Sequence, residues 1–261
     1  MLARLLRSLR RANPATSSAA STTAAAAAAE ALLSLVRAPL PHPKRLDYEA
    51  VAAVLAAASS AEYLVRHMQG ARNLVGREAL LAHAIESCTI DGLMLEFGVY
   101  RGNSLRQIAR ATDRDVHGFD SFEGLPEDWS WFQKRGRFSL GGRVPAFAEP
   151  NVRIHQGWFD AVLPGFLADY PQPVRLLHID CDLYRSTQTV LRLLAGRIVP
   201  GTVIVFDEYL NYPRMGAARV PRLSGIRRGG PVGLRVCGFC LLRLRRRGSR
   251  QSLSAARRKV T

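Results

Sequence analysis

The chain has 261 residues, with 37 Lys+Arg against 21 Asp+Glu and a sequence pI near 10.9, a length suited to one α/β domain with flanking segments. The basicity is confined to the ends: net charge is +6 over residues 1–45, −4 over 46–213 and +14 over 214–261. A slightly acidic middle excludes a nucleic-acid-binding core. The lack of any apolar run near the ~20 residues of a membrane span predicts a soluble chain, and four scattered cysteines exclude a disulfide framework and fit a cytoplasmic, reducing setting.

Residues 1–45 read as a flexible Ala/Arg-rich leader. Arg4, Arg7, Arg10 and Arg11, a Ser/Thr/Ala tract from Thr16 to Ala29 and no acid before Glu30 match an organelle-targeting presequence in composition. GC-rich coding produces the same bias, so targeting is the secondary reading. Residues 46–92 form a helical segment, with apolar spacing through Tyr63, Leu64, Met68, Leu74, Leu80, Leu81 and Ile85. It is a candidate lid or homo-oligomer contact.

After Gly92 the rhythm becomes strand, turn, helix. Strands are expected at Leu93–Phe97, Val116–Phe119, Val152–His155, Val174–Ile179 and Val203–Phe206, with helices from about Asn103 to Thr112, Asp160 to Asp169 and Ser186 to Gly196. This alternation predicts an α/β fold with a doubly wound, mainly parallel sheet. The stretch from Asp128 to Pro150, with Trp129, Trp131, Phe132, Phe138 and Phe147, is either a binding loop or a surface excursion whose aromatics fill a satellite core.

Two strand ends carry four carboxylates: Asp180 and Asp182 in Ile179-Asp180-Cys181-Asp182-Leu183-Tyr184, and Asp207 and Glu208 in Phe206-Asp207-Glu208-Tyr209. Each follows a buried parallel strand, so both fall on the sheet edge where open α/β folds bind ligands. Carboxylates gathered there repel unless a hard cation or a proton offsets their charge, which suggests a Mg²⁺-type oxygen site. Any one of them alone could simply cap a helix.

The first strand leads into Glu96-Phe97-Gly98-Val99-Tyr100-Arg101-Gly102-Asn103-Ser104. Gly98 lets a ligand approach the backbone, and the helix start at Asn103 and Ser104 offers N–H donors to a carboxylate. Glu96 is a candidate for a ligand ammonium. The second strand ends at Asp120, at the spacing from Gly98 where an acid holds ribose hydroxyls. An adenosine cofactor is expected, and S-adenosylmethionine fits better than NAD because the turn lacks the close three-glycine pattern that packs a pyrophosphate.

Leu95 to Gly102, Gly118-Phe119-Asp120-Ser121-Phe122-Glu123-Gly124-Leu125-Pro126-Glu127, Gly157-Trp158-Phe159, Asp180 to Tyr184 with Ser186-Thr187, and Asp207-Glu208-Tyr209 together resemble the macrocin-type O-methyltransferases of antibiotic-sugar tailoring. The resemblance spans about residues 48–213. It implies a class I S-adenosylmethionine-dependent methyltransferase core at 93–213, acting on a hydroxyl of a small molecule such as a sugar or vicinal diol. It further implies Mg²⁺ on Asp180, Asp207 and Glu208, with Asp182 at the general-base position. Glu96, Gly98, Tyr100, Gly102, Asn103, Ser104, Asp120, Ser121, Phe122 and Trp158 are the expected cofactor-binding residues. Two other readings compete: a metal-dependent glycosyltransferase using Asp-x-Asp, and a defective paralogue without activity.

The paralogue reading rests on residues 214–261, a basic tail without an acid and with little pattern outside Val232 to Leu244. An open sheet edge beyond Phe206 is expected from it. An out-of-frame translation explains the change of composition. Met215-Gly216 must be encoded ATG-GGN, and reading one base later gives tryptophan; permissible codons around it can spell an acidic, amphipathic peptide. Cys237-Gly-Phe-Cys240 has zinc or redox spacing, but no second pair completes a tetrahedral set.

Overall fold

Apolar runs separated by glycine turns fold into an α/β sheet with helices on both faces. The computed structural model describes residues 48–68, 71, 72, 74, 76–129, 133–207, 232–238 and 241–246. The leader, Trp131, Phe132, Glu208, Cys240 and most of the tail lie outside the described residues. In chain order the elements are α1 (Tyr48–His67), α2 (Arg77–Glu86), β1 (Leu93–Phe97), α3 (Asn103–Arg110), β2 (Val116–Asp120), β3 (Val152–Gln156), α4 (Phe159–Asp169), β4 (Val174–Ile179), α5 (Tyr184–Leu193), β5 (Val203–Phe206), β6 (Val232–Gly238) and β7 (Leu241–Arg246).

The sheet order is β3-β2-β1-β4-β5-β7-β6. The first five strands are parallel, as the alternation predicts. β1 and β5 are buried along their whole length, and β4 at every position but Arg175, because both faces are covered, which is why they read as largely apolar runs. One face carries Leu95, Phe97, Leu177, Ile179 and Ile204 against Leu163 and Phe166 of α4 and Val190 and Leu191 of α5. The other carries Met94, Leu176, Val203 and Val205 against Leu81 and Ala84 of α2 and Leu105 and Ile108 of α3. The period-2 pleat thus sorts one apolar run onto two cores.

The expected open edge beyond β5 is corrected. β7 pairs antiparallel with β5, placing Ile204 opposite Leu242, and β6 pairs antiparallel with β7. Unpaired N–H and C=O groups along a strand favour any chain that can add to it, and the stretch around Val232 to Leu244 supplies that addition.

The loop from Asp128 to Pro150 divides between its two expected roles. Phe147 packs against the α2/α3 core and beneath the Arg106 guanidinium, 4.6 Å from its ring centre. Phe138 instead reaches Tyr100, with ring centres 5.5 Å apart.

Candidate active site at the carboxyl edge of the sheet

The ends of the parallel strands are stitched together by backbone bonds that extend the ladder. Gly98 N–H donates to Phe119 O (3.0 Å), Asp180 N–H to Phe97 O (2.9 Å), Asp207 N–H to Ile179 O (3.1 Å) and Gly157 N–H to Asp120 O (2.9 Å). Four sequence-distant segments are thereby fixed around one cavity of about 440 Å³, within the range of small-molecule sites. Gly98, Tyr100, Gly102, Asn103, Ser104, Asp120, Ser121 and Trp158 line it, as do Asp180, Asp182 and Asp207.

Gly98 is required here for two reasons. Its φ is +89°, and a Cβ would collide with the Asp180 carbonyl. The turn after it is held by Asp120, whose Oδ2 accepts from Val99 N–H and Tyr100 N–H (both 2.8 Å) and whose Oδ1 accepts from Phe122 N–H (2.7 Å). Asp120 therefore shapes the glycine turn as well as facing the cavity. Tyr100, Phe138 and Asp182, three of the four non-glycine residues with positive φ among the described residues, line this cavity. Local strain of that kind collects where a fold over-determines a site.

Two expected cofactor contacts are placed elsewhere. Phe122 has its side chain packed in the α2/α3 core, away from the cavity wall, while its backbone carbonyl pins the loop by accepting from Leu140 N–H (2.9 Å) and Gly142 N–H (3.0 Å). Glu96 is 0% exposed and does not line the cavity. Its Oε1 accepts from Ser104 Oγ (3.0 Å) and its Oε2 pairs with His178 Nδ1 (2.9 Å). The even-numbered pleat causes this, because Glu96 lies directly beside His178 in the β1/β4 register and both point into the sheet–helix interface.

Asp180 and Asp207 are brought together as expected, on neighbouring strand ends. The Arg77 guanidinium at the start of α2 bridges them, 3.4 Å from Asp180 and 2.5 Å from Asp207. Ligand atoms of His178, Asp180 and Asp207 all lie within 4.8 Å of one another. Burial, then the neighbouring Asp207 charge, pushes the Asp180 carboxyl up to about 6, with His178 and Arg77 opposing. Burial, then Asp180 and Asp207, pushes Asp182 up to about 7. For His178, burial disfavours the charged ring, but the Glu96 hydrogen bond and the charges of Glu96, Asp180 and Asp207 raise its pKa overall.

Such a cluster calls for positive charge, and Arg77 shows that a cation fits there. His178 was not singled out from the sequence, although a signal existed: it lies two residues before Asp180 and so shares its strand face. Arg77 had no such signal, since its approach depends on how α2 docks.

Residues 95–209 match a family model described as a methyltransferase domain. That stretch of this chain is similar to a methyltransferase domain. Among curated proteins, the 8-demethyl-8-(2,3-dimethoxy-alpha-L-rhamnosyl)-tetracenomycin-C 4'-O-methyltransferase of Streptomyces olivaceus is 32% identical over 167 residues, covering 53% of this chain and 63% of the relative. The demethyldecarbamoylnovobiocin O-methyltransferase of Streptomyces niveus is 30% identical over 147 residues, covering 48% and 55% respectively. The chain thus spans less than two thirds of the length of these curated relatives. Solved structures of the calicheamicin methyltransferase CalS11 (TM-score 0.51, 21% identity, 88% of this chain and 94% of that one) and of the O-methyltransferase NovP (TM-score 0.50, 24% identity, 66% and 80%) share the fold. The core therefore has the expected class I methyltransferase fold, and its resemblance to antibiotic-tailoring enzymes holds.

Proposed function

We propose that this chain is a divalent-cation-dependent O-methyltransferase that moves the methyl group of S-adenosylmethionine to a hydroxyl of a sugar or other vicinal diol. The observation carrying this reading is that one cavity joins a glycine turn braced by Asp120 to a carboxylate cluster at Asp180, Asp182 and Asp207. The antibiotic-sugar relatives support the acceptor class. The methyltransferase family match favours this reading over a glycosyltransferase built on Asp-x-Asp.

In this reading the N–H groups at the start of α3 receive the methionine carboxylate, and Asp120 with Ser121 faces the ribose. Trp158 covers the adenosine end. The ammonium group meets the turn itself, since Glu96 is committed to Ser104 and His178. Asp180, Asp207 and Glu208 would hold Mg²⁺, which supplies Lewis-acid polarisation of the acceptor hydroxyl when bound. Asp182 accepts the hydroxyl proton at its carboxylate as the oxygen attacks the methyl carbon in line and S-adenosylhomocysteine leaves. A small-molecule acceptor, a cytoplasmic setting and a homo-oligomer contact through the 46–92 segment belong to the same proposal.

Calorimetric titration of S-adenosylmethionine, with and without Mg²⁺, tests the two halves together. Cofactor binding that survives EDTA, with turnover that does not, is expected; full turnover in EDTA would remove the metal from the reading.

A further inference from the structure

Inside the sheet–helix interface one buried polar atom has no use in the scheme above. His178 is 0% exposed, and its Nε2 has no hydrogen-bond partner among the described residues. Leaving such an atom unpaired costs about 1–3 kcal/mol, so a fold that keeps it gives it a partner when complete. Resting on the cation seat proposed above, we infer that His178 Nε2 is itself a ligand of that cation. The seat is then a mixed nitrogen–oxygen site that selects first-row transition ions such as Mn²⁺ or Co²⁺ over Mg²⁺.

Three features of the geometry carry this. First, β1 and β4 are in register at Glu96 and His178, β4 and β5 at His178 and Val205, and the period-2 pleat brings Asp180 and Asp207 onto that same face. Second, the ligand atoms of His178, Asp180 and Asp207 lie within 4.8 Å of one another, close to the roughly 4.4 Å maximum between two donors each about 2.2 Å from one ion. A rotamer adjustment of a few tenths of an ångström closes the difference.

Third, the other ring nitrogen is already tied down in the way metal-binding histidines require. Nδ1 meets Glu96 Oε2 at 2.9 Å, and Glu96 Oε1 accepts from Ser104 Oγ at 3.0 Å. A carboxylate on the distal nitrogen fixes the tautomer, leaves the Nε2 lone pair free and raises its basicity.

Ligand type then sets the ion. A nitrogen donor adds affinity for first-row transition ions over Mg²⁺, least for Mn²⁺ and more for Co²⁺, whereas carboxylate and water alone suit Mg²⁺ and Mn²⁺ alike. Arg77 pairs with the same two carboxylates, so a cation entering the seat displaces its guanidinium.

The full chain loaded with Mn²⁺ and studied by pulsed electron paramagnetic resonance gives a readout independent of turnover. Wild type should show coupling to one ¹⁴N nucleus, changing to the ¹⁵N pattern when the protein is grown on ¹⁵N-histidine, and Mn²⁺ should bind at least about 10-fold more tightly than Mg²⁺. His178→Gln should lose the coupling. Glu96→Gln, which keeps the side chain's size, should keep the coupling but weaken Mn²⁺ binding about 10–100-fold. That second variant holds the test open if His178→Gln fails to fold.

Mn²⁺ bound without nitrogen coupling overturns the inference and leaves an oxygen-ligated cation reading standing. Coupling that persists in a folded His178→Gln protein overturns it as well, as does unchanged affinity in Glu96→Gln. No Mn²⁺ binding at all overturns both the inference and the cation seat, and S-adenosylmethionine titration of the same sample shows separately whether the cofactor half survives.

Discussion

Replacing Asp120 by asparagine should damage the fold as much as the cofactor site. The carboxylate accepts three short backbone bonds, two on Oδ2 and one on Oδ1, from Val99, Tyr100 and Phe122. Asparagine has one accepting oxygen, so in either orientation its NH₂ abuts at least one of these N–H groups. The lost bond to a charged acceptor is worth about 1.5–3 kcal/mol, and the remaining bonds drop to roughly half strength once the acceptor is neutral. Water from the cavity re-solvates part of the freed backbone, which brings the net cost to about 2–4 kcal/mol. With a urea slope of about 1–3 kcal/mol per molar, the unfolding midpoint should fall by about 1–2 M. Asp120→Ala, which frees all three donors, should fall at least as far. Equilibrium urea unfolding followed by circular dichroism measures both, and S-adenosylmethionine affinity should weaken in step. A midpoint within about 0.3 M of wild type for Asp120→Asn would refute the idea that this residue braces the glycine turn.

Asp182, pushed up to about 7 chiefly by burial and then by Asp180 and Asp207, should give methyl transfer a rate that rises with pH. Divalent cation offsets those two charges, so the acid limb should move below 7 as metal is added; a limb insensitive to metal, or unchanged in Asp182→Asn, would contradict the base assignment. The same raised pKa means that Asp182 stabilises the cation-free protein fully below about 3.8 and loses that contribution as pH rises through about 7. His117 works in the opposite direction. Burial, then the His155 ring bonded to it at 3.0 Å, lowers its pKa to about 4 from the ordinary 6.5. The unfolded chain therefore binds more protons between those values, and thermal stability should fall as pH drops from 6.5 to 4, by at most about 3 kcal/mol. His117→Phe, which keeps the ring contacts with Phe166 and Tyr170, should flatten that dependence in melting curves taken across the range. Gly98→Ala should abolish cofactor binding and lower the melting point, because both its φ of +89° and the Asp180 carbonyl exclude a Cβ; a normal titration would disprove the close approach. The gene's nucleotide sequence across codon 213 tests the out-of-frame origin of the tail, which requires codons that spell an acidic peptide one base later.

Much of the site was legible because parallel strands buried on both faces have a simple signature, and the residues after each such run must sit at one edge. That logic is enough to gather Asp120, Asp180, Asp182 and Asp207 around one cavity. It failed for Glu96 because an acid beside a glycine turn looks like a ligand contact, whereas the β1/β4 register turns it toward His178. It failed for Phe122 because a residue after Asp120 can face either the cavity or the core, and the loop bonds to Leu140 and Gly142 decide for the core. The edge beyond β5 was misjudged for a different reason. A strand of mixed leucine and arginine gains its pairing from the edge it meets, and composition alone does not reveal that edge.

Local apolar periodicity and glycine placement specify the five parallel strands and the acids at their ends, so these are readable along the chain. The bridge from Arg77 of α2 to Asp180 and Asp207, and the buried chain of Glu96, His178 and Ser104 beneath them, arise only in the folded chain. Those contacts depend on strand register and helix docking, which are set by packing between segments up to 130 positions apart and leave no local periodic trace.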